Sequence, residues 1–80
     1  MEFELIVNTN AYKRWVGDKY IIAMYSYRGS PSGMVEVPPY YRAYNSDSLN
    51  ISMQSKKGFS SFEKAKAGCE LHKLKRAYGG

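Results

Sequence analysis

The sequence predicts an α+β domain, in which an antiparallel sheet of three to five strands carries one C-terminal helix packed across it. Over the first two-thirds of the chain, aromatic and branched residues are dense and apolar positions alternate with polar ones, which is the period of β-strands. Beyond residue 60 the apolar positions recur at helical spacing. A chain of this length buries only roughly 60% of its unfolded surface. We therefore expect one domain over residues 1–80, with the sheet over about 2–55 and the helix over about 61–78.

Alternation is clearest in the first strand and in the strand at the middle of the sheet. One face of the first strand would hold Phe3, Leu5 and Val7. A turn over residues 8–10 would end it, and Gly17-Asp18 would form the next turn. Residues 19–27 are apolar or aromatic on both alternating faces, which is typical of a central strand covered on both sides.

Glycine and proline divide the middle of the chain. Residues 28–33 contain two glycines and a proline, and they predict a loop. Residues 34–37 can form only a short strand, because Pro38 and Pro39 lack amide donors, and residues 40–44 would resume the pairing. A half-buried strand is then predicted from the alternating apolar positions Leu49, Ile51 and Met53.

The C-terminal helix has a start signal and two apolar stripes. Ser60 and Glu63 have the spacing of a capping box, in which each side chain accepts a hydrogen bond from the other residue's amide. One stripe comprises Phe62, Ala65, Cys69 and His72, and the other comprises Ala67, Leu71, Leu74 and Tyr78. Because one sheet face is too narrow to cover both stripes, one of them would face a partner or a second copy of the chain. Gly68 would permit close approach of the helix to the sheet.

The formal net charge of +5 is unevenly placed along the chain. Residues 1–55 hold five Lys/Arg and five Asp/Glu, whereas residues 56–80 hold seven and two. A localised positive surface attracts nucleic acid, a nucleic-acid-binding protein or an acidic protein patch. A solvated helix face that keeps the chain in solution explains the same charge, so both interpretations stay open.

Cysteine content and hydropathy indicate a cytoplasmic protein. The single cysteine, Cys69, cannot form an internal disulfide, and small secreted domains normally hold several. Acidic residues stand near the N-terminus, where a secretory signal carries basic ones. No stretch reaches the roughly 20 apolar residues that span a bilayer, so we expect no membrane partner.

No residue pattern favours catalysis. Cys69 and His72 share a helical face and form the one candidate nucleophile and base, but nothing supplies an orienting third group, and buried cysteine commonly packs as a small apolar side chain. A structural zinc site needs about four ligands, and this chain has one thiol and one imidazole. Gly29 and Gly33 are not followed by the Lys-Ser/Thr pair and the helix that complete a phosphate-binding loop. We expect a binding protein without enzymatic activity, metal or cofactor.

Tyrosine and arginine are interleaved along the chain. Eight tyrosines exceed what so small a core can bury, although several must simply cover the sheet. Both residue types anchor protein interfaces, and both also stack on unpaired bases. The candidate partner-binding residues are Arg14, Trp15, Tyr27, Arg28, Tyr41, Arg42, Leu71 and Leu74. In the alternative, nucleic acid is bound through Lys56, Lys57, Lys64, Lys75 and Arg76.

From residue 49 onward the chain resembles the end of two groups of small proteins. The likeness is carried by a strand followed by Lys56-Lys57-Gly58-Phe59, Ser60-Ser61-Phe62-Glu63 and Ala65-Lys66-Ala67-x-Cys69-Glu70-x-His72. One group is the AP2-like, arm-type DNA-binding domain of phage integrases, and this likeness implies a sheet that reads a DNA groove. The other comprises short phage and prophage accessory proteins of the anti-CRISPR type, and this likeness implies an inhibitor of host defence.

Two functional hypotheses follow. The leading one is a phage or mobile-element accessory inhibitor that blocks a nucleic-acid-handling complex by stoichiometric steric occlusion. Its partner would be a larger protein or ribonucleoprotein complex, with weak nucleic-acid contact through the basic helix. The alternative is a small DNA- or RNA-binding domain with a basic helix end and an aromatic sheet. Residues 1–55 are neutral overall, which favours the first hypothesis.

Overall fold

We describe the protein from a computed structural model, which covers residues 2–46, 49–50 and 58–79, with the backbone alone for 49, 50 and 76–79. Five antiparallel strands form one sheet in the order β1-β2-β3-β4-β5, so that each strand pairs with its neighbours in sequence. The elements are β1 (Glu4–Asn8), β2 (Tyr12–Gly17), β3 (Tyr20–Ser30), β4 (Gly33–Asn45), β5 (Leu49–Asn50) and α1 (Phe62–Gly79). The predicted sheet with one C-terminal helix is therefore confirmed.

The helix packs on one face of the sheet, and the core lies between them. Its buried members are Tyr20, Ile22, Ala43, Ala65 and Cys69, and the partly buried rings around them are Phe3, Trp15, Tyr41, Phe59 and Phe62. Trp15 lies between two other rings, with centroid distances of 4.7 Å to Phe62 and 6.1 Å to Tyr41. We call the side of the sheet that carries Trp15, Ile22 and Ala43 the core face.

Ser61 caps the start of the helix. The Lys64 amide donates to Ser61 Oγ at 3.2 Å, and the Ala65 amide donates to the Ser61 carbonyl at 3.1 Å. The predicted capping box at Ser60 and Glu63 is wrong by one residue. Ser60 is exposed, and a lysine stands three residues after the true cap, where a capping box needs Glu or Gln.

The two apolar stripes of the helix have different surroundings, as predicted. Cys69 is buried, whereas Leu71 and Leu74 are 54% and 53% exposed. Gly68 faces Phe59, and a Cβ at this position would lie 2.7 Å from the Phe59 ring. Since Phe59 pairs with β4 through Tyr41, the absence of a side chain at Gly68 lets the helix approach the sheet closely, also as predicted.

Leu74→Asp should leave the protein folded. The side chain is about half exposed, and surface substitutions usually change stability by no more than about 0.5 kcal/mol. If the outer stripe docks on another chain, the variant should also lower self-association or partner affinity, measured by sedimentation velocity. The matched control is Ala65→Asp, which buries a carboxylate at a position that is 0% exposed and should unfold the chain. Unfolding of both variants would place Leu74 in the core.

Two turns in the first half of the chain form near their predicted positions. The Thr9 amide donates to the Tyr12 carbonyl at 2.9 Å and closes the first. The second is centred on Asp18 and Lys19, whose positive φ angles of 38° and 69° suit a two-residue hairpin turn. Lys73 Nζ donates to Asp18 Oδ2 at 2.6 Å and ties the helix to this turn. The hydrogen bond and charge of Lys73 hold the pKa of the Asp18 carboxyl below its ordinary value.

The first strand departs from the predicted alternation. The register with β2 shifts between Leu5 and Val7, so that Ile6 forms a bulge. Leu5 pairs with Trp15 and Val7 pairs with Arg14, which point to opposite faces of the sheet. The prediction that Leu5 and Val7 share one face is therefore wrong, because the extra residue reverses the alternation.

β3 and β4 form a long hairpin, and it corrects two predictions. Residues 28–33 are not a loop, since the turn is confined to Pro31 and Ser32 and strand pairing continues on both sides. β4 is not broken after residue 37. Residues 37–39 stand opposite the single residue Ser26 and form a bulge in β4. Pro38 and Pro39 fit within the strand because residues in the bulge form no ladder pair, so the amide protons that prolines lack are not needed there.

Beyond this bulge the hairpin leaves the sheet as a two-stranded arm, which comprises residues 27–36. The last residue pair between β2 and β3 is Tyr12 with Tyr25. The next amide, of Ser26, donates instead to the Ala11 carbonyl at 3.1 Å. The molecule is 45 Å long and only 24 by 19 Å across, which is consistent with a projecting arm.

Candidate binding surface

β3 is the central strand, as predicted, but α1 covers only one of its faces. On the other face, side chains from β2, β3 and β4 stand in cross-strand rows, because successive residues of a strand point to opposite faces. The rows are Tyr12–Tyr25–Tyr40, Arg14–Ala23–Arg42 and Val16–Ile21–Tyr44. We call this surface the open face. No helix among the described residues packs on it, so the prediction that the central strand is covered on both sides is wrong for this face.

The first row is a continuous aromatic ladder. The ring centroids lie 5.3 Å apart between Tyr12 and Tyr25 and 5.4 Å apart between Tyr25 and Tyr40. Burial raises the pKa of Tyr25 to about 12, and a hydrogen bond with Tyr44 adds to the rise. Tyr25 is therefore a neutral phenol at physiological pH.

The second row places two guanidinium groups on either side of a small residue. Ala23 is 1% exposed and pairs with Arg14 on one side and Arg42 on the other. Arg42 lies over the Tyr40 ring, 5.8 Å from its centroid, which is a cation–π contact. Arg14 Nε is buried and has no hydrogen-bond partner among the described residues. An unmet buried donor destabilises a folded chain by about 1–3 kcal/mol unless water or a ligand accepts from it.

A pocket of about 390 Å³ opens on this face. Its walls are Tyr12, Arg14, Ile21, Ala23, Tyr25, Tyr44, Asn45 and Ser46. Ligand pockets commonly span about 300–1,000 Å³, so this one can hold a small group or a partner's side chain. Arg14 is the charged member of the lining, and three of the seven other residues are tyrosines.

The structure divides the predicted partner-binding residues among four places. They are Arg14 and Arg42 on the open face, Trp15 and Tyr41 on the core face, Tyr27 and Arg28 on the arm, and Leu71 and Leu74 on the outer side of α1. The rings of Trp15 and Tyr41 pack against the core, so we assign them to the fold and not to the binding surface. Strand alternation separates each of them from the arginine next to it in sequence.

The predicted phosphate-binding residues lie apart from the open face where the structure describes them. Lys64 and Lys75 are exposed on α1, which packs on the opposite side of the sheet. Outside the described residues lie Lys56, Lys57 and the strand positions Ile51 and Met53, together with the side chain of Arg76. The described lysines of this set and the open-face arginines therefore belong to different surfaces.

Sequence reasoning missed the residues that complete the open face. They are Tyr12, Tyr25, Tyr40 and Tyr44. A signal was present, because a spacing of two places Tyr12 with Arg14, and Tyr40 with Arg42, on the same face of a strand.

The exposed arm was also missed. Met34 and Val35 are 68% and 47% exposed there, and Tyr27 is 38% exposed. The bulge that projects the arm depends on the register between two strands, so residues 27–36 carry no local signal for it.

Cys69 and His72 lie in surroundings unlike those of a nucleophile and its base. The Tyr20 hydroxyl and His72 Nδ1 are 2.8 Å apart and hydrogen-bonded. Cys69 is 0% exposed, and burial raises the pKa of its thiol to about 12, with the Glu70 charge adding to the rise. Reactive cysteines have lowered pKa values. The prediction that Cys69 packs as a small apolar side chain is confirmed.

Cys69→Ala should fold with a stability loss of about 1 kcal/mol at neutral pH. Because the folded-state pKa of Cys69 exceeds the ordinary value of 9.0, the buried thiol stabilises the fold fully below about pH 9 and progressively less as pH rises towards 12. Relative to the alanine variant, the wild type should lose about 1 kcal/mol between pH 9 and 10. Urea denaturation of both proteins across this range measures the difference. Parallel stability curves would show that the thiol titrates normally.

Comparison with family models, with curated proteins and with solved structures finds no match to this chain. Within residues 2–46, 49–50 and 58–79, no helix combines the length and apolar character needed to cross a bilayer.

Proposed function

We propose that this protein is a non-enzymatic binding protein that occupies a surface of a larger nucleic-acid-handling complex and inhibits it by stoichiometric steric occlusion. The observation that carries the proposal is the open face, where a ladder of tyrosines stands beside two arginines. Such an activity requires a rigid scaffold that presents anchors, and the sheet backed by α1 is one. The resemblance to phage accessory proteins of the anti-CRISPR type implies a role of this kind.

The composition of the open face favours a protein partner. Protein interfaces are enriched in Tyr and Arg and depleted in Lys. The three rows of the open face contain both enriched types and no lysine. Tyrosine buries a large area and has only two side-chain torsions to immobilise, so little entropy is lost when it binds. Tyr40 and Arg42, already in contact with each other, are the strongest candidate anchors.

The remaining surfaces support the choice of a nucleic-acid-handling complex as the partner. The arm exposes Met34 and Val35 and projects beyond the sheet, so it can enter a cleft that the sheet cannot. Residues 56–80 hold seven Lys/Arg against two Asp/Glu. A basic surface of this kind is attracted to acidic protein or to nucleic acid bound in the same complex.

Single-stranded DNA or RNA binding is the second candidate function, and one observation favours it. The stacked rings of Tyr25 and Tyr40, with Arg42 over the latter, resemble the aromatic platforms on which unpaired bases stack. Such sites also need a positively charged groove that follows the backbone. The open face offers two arginines for this purpose, which is why we rank the protein partner first.

Capture from the native host with tagged protein, with and without nuclease, tests the proposal. The wild type should recover a protein complex whose yield survives nuclease treatment. Tyr40→Ala/Arg42→Ala should reduce recovery at least tenfold, because removing two anchors costs more than about 1.4 kcal/mol of binding free energy. The matched control is Glu63→Ala/Lys64→Ala, at exposed positions on α1, and it should recover as much as the wild type.

Two outcomes would contradict the protein-partner assignment. One is equal recovery by the open-face variant and the helix control. The other is tight, salt-resistant binding to random duplex, single-stranded DNA or RNA that the open-face variant abolishes. Nonspecific phosphate contact should instead weaken with salt, with a log-log slope of about −0.9 per duplex phosphate neutralised.

A further inference from the structure

We propose that the pocket on the open face receives a carboxylate side chain of the protein partner, and that Arg14 is its counter-charge. The inference rests on the proposed function, since it takes a protein partner on the open face as given, and it names the chemical group that this partner supplies. Two independent features meet at this place: a pocket of about 390 Å³ and a buried guanidinium nitrogen that has no acceptor in the part of the chain that the structure describes.

One guanidinium nitrogen of Arg14 has no acceptor among the described residues, and the pocket beside this side chain offers space for one. Its side chain lines the pocket, while its Nε has neither solvent contact nor a hydrogen-bond partner among the described residues. The polar groups that also line the pocket, among them the hydroxyls of Tyr12, Tyr25 and Tyr44, do not accept from this Nε. An incoming carboxylate would pair with the Arg14 side chain where it lines the pocket, and a small rotation of that side chain on binding would bring its Nε within reach of the same group.

The walls of the pocket strengthen an ion pair formed inside it. The apolar surface around Arg14 comes from Ile21, Ala23 and the rings of Tyr12, Tyr25 and Tyr44. A charge pair interacts more strongly where such surface excludes water. One nitrogen of the guanidinium, Nε, is already buried in the free protein, so its desolvation adds no further cost when the pair forms.

A carboxylate fits this site better than a phosphate chain does. The planar guanidinium pairs with a carboxylate through two parallel hydrogen bonds. Arg14 is the charged member of the pocket lining, and Arg42 is turned to the Tyr40 ring. A nucleic-acid backbone carries one phosphate per nucleotide and is bound by several cations in succession, whereas a single acidic side chain needs one.

Small probes test the pocket without the partner. The probe is 3-phenylpropionate, which carries a carboxylate on an aromatic body, and its matched neutral control is 3-phenylpropionamide. Binding is followed by NMR at the Arg14 Nε–H signal and at the backbone amides of Ile21 and Tyr44. We expect saturable shifts with the carboxylate and at least tenfold weaker binding of the amide.

Variants and a phosphate probe complete the experiment. Arg14→Gln should abolish carboxylate binding, Arg14→Lys should weaken it several-fold because the planar fork is lost, and the control Lys66→Gln, on the helix at the opposite side of the sheet, should leave it within twofold. Should Arg14→Gln fail to fold, the wild-type spectra and Arg14→Lys still decide the question. Tighter binding of phenyl phosphate than of the carboxylate would overturn the assignment in favour of a phosphate group.

The absence of shifts at Arg14, or shifts that persist in Arg14→Gln, would overturn the pocket assignment while leaving the proposed function intact. That function is tested separately by Tyr40→Ala/Arg42→Ala. Conversely, carboxylate binding at Arg14 together with unchanged partner recovery by Tyr40→Ala/Arg42→Ala would contradict the proposed function alone.

Discussion

Ile22→Ala is expected to lower the free energy of unfolding by about 2–5 kcal/mol. Ile22 is 0% exposed and pairs with Trp15 on one side and Ala43 on the other. Truncation leaves a void beneath α1 that the small neighbour Ala43 cannot fill. A domain of 80 residues is typically stable by about 4–12 kcal/mol, so the variant should lose a large share of its total stability.

The adjacent residue provides a matched control for this prediction. Ile21→Ala removes the same atoms from the half-buried open face, where solvent can fill the space, and should cost about 1 kcal/mol. Urea denaturation followed by fluorescence of Trp15, the single tryptophan, reports directly on the junction with Phe62 of α1. Equal losses in the two variants would contradict the assignment of Ile22 to the core face.

Gly58→Ala is expected to destabilise the protein by about 2–4 kcal/mol, through two effects in one substitution. The φ angle of Gly58 is +74°, a conformation that side chains other than glycine adopt only with strain. A Cβ there would also lie 2.6 Å from the Tyr41 carbonyl oxygen. That carbonyl accepts from the Phe59 amide at 2.7 Å, and the Tyr41 amide donates back to Phe59 at 2.8 Å, so the substitution should break both bonds.

Two other glycines separate these effects. Gly33→Ala meets nothing within 4 Å but has a φ of +122°, so it measures backbone strain alone. Gly29→Ala also meets open space and should be nearly neutral. Thermal unfolding should rank the variants with Gly58→Ala least stable, then Gly33→Ala, then Gly29→Ala. A Gly58→Ala protein as stable as Gly29→Ala would contradict both the backbone strain at Gly58 and its contact with Tyr41.

The local sequence pattern was sufficient to predict those helix and strand features that depend only on neighbouring residues. The helical spacing of Ala65, Cys69 and His72 predicted the inner stripe of the helix. The same spacing predicted an outer stripe, whose members Leu71 and Leu74 are exposed. The continuous apolar run at residues 19–27 predicted the central strand. Each of these depends on neighbours within one or two turns of helix or a few residues of strand, so the sequence by itself determined the α+β architecture.

Pairing between distant residues decided the candidate site, and the sequence alone does not contain that register. The open face exists because β2, β3 and β4 align Arg14, Ala23 and Arg42 in one row, which also placed the predicted anchors Trp15 and Tyr41 on the other face. The arm exists because one residue of β3 faces three of β4, so that two prolines predicted to end a strand are absorbed within it. A one-residue change of register would move every side chain of a strand to the opposite face, and for that reason only the tertiary structure shows which tyrosines and arginines meet.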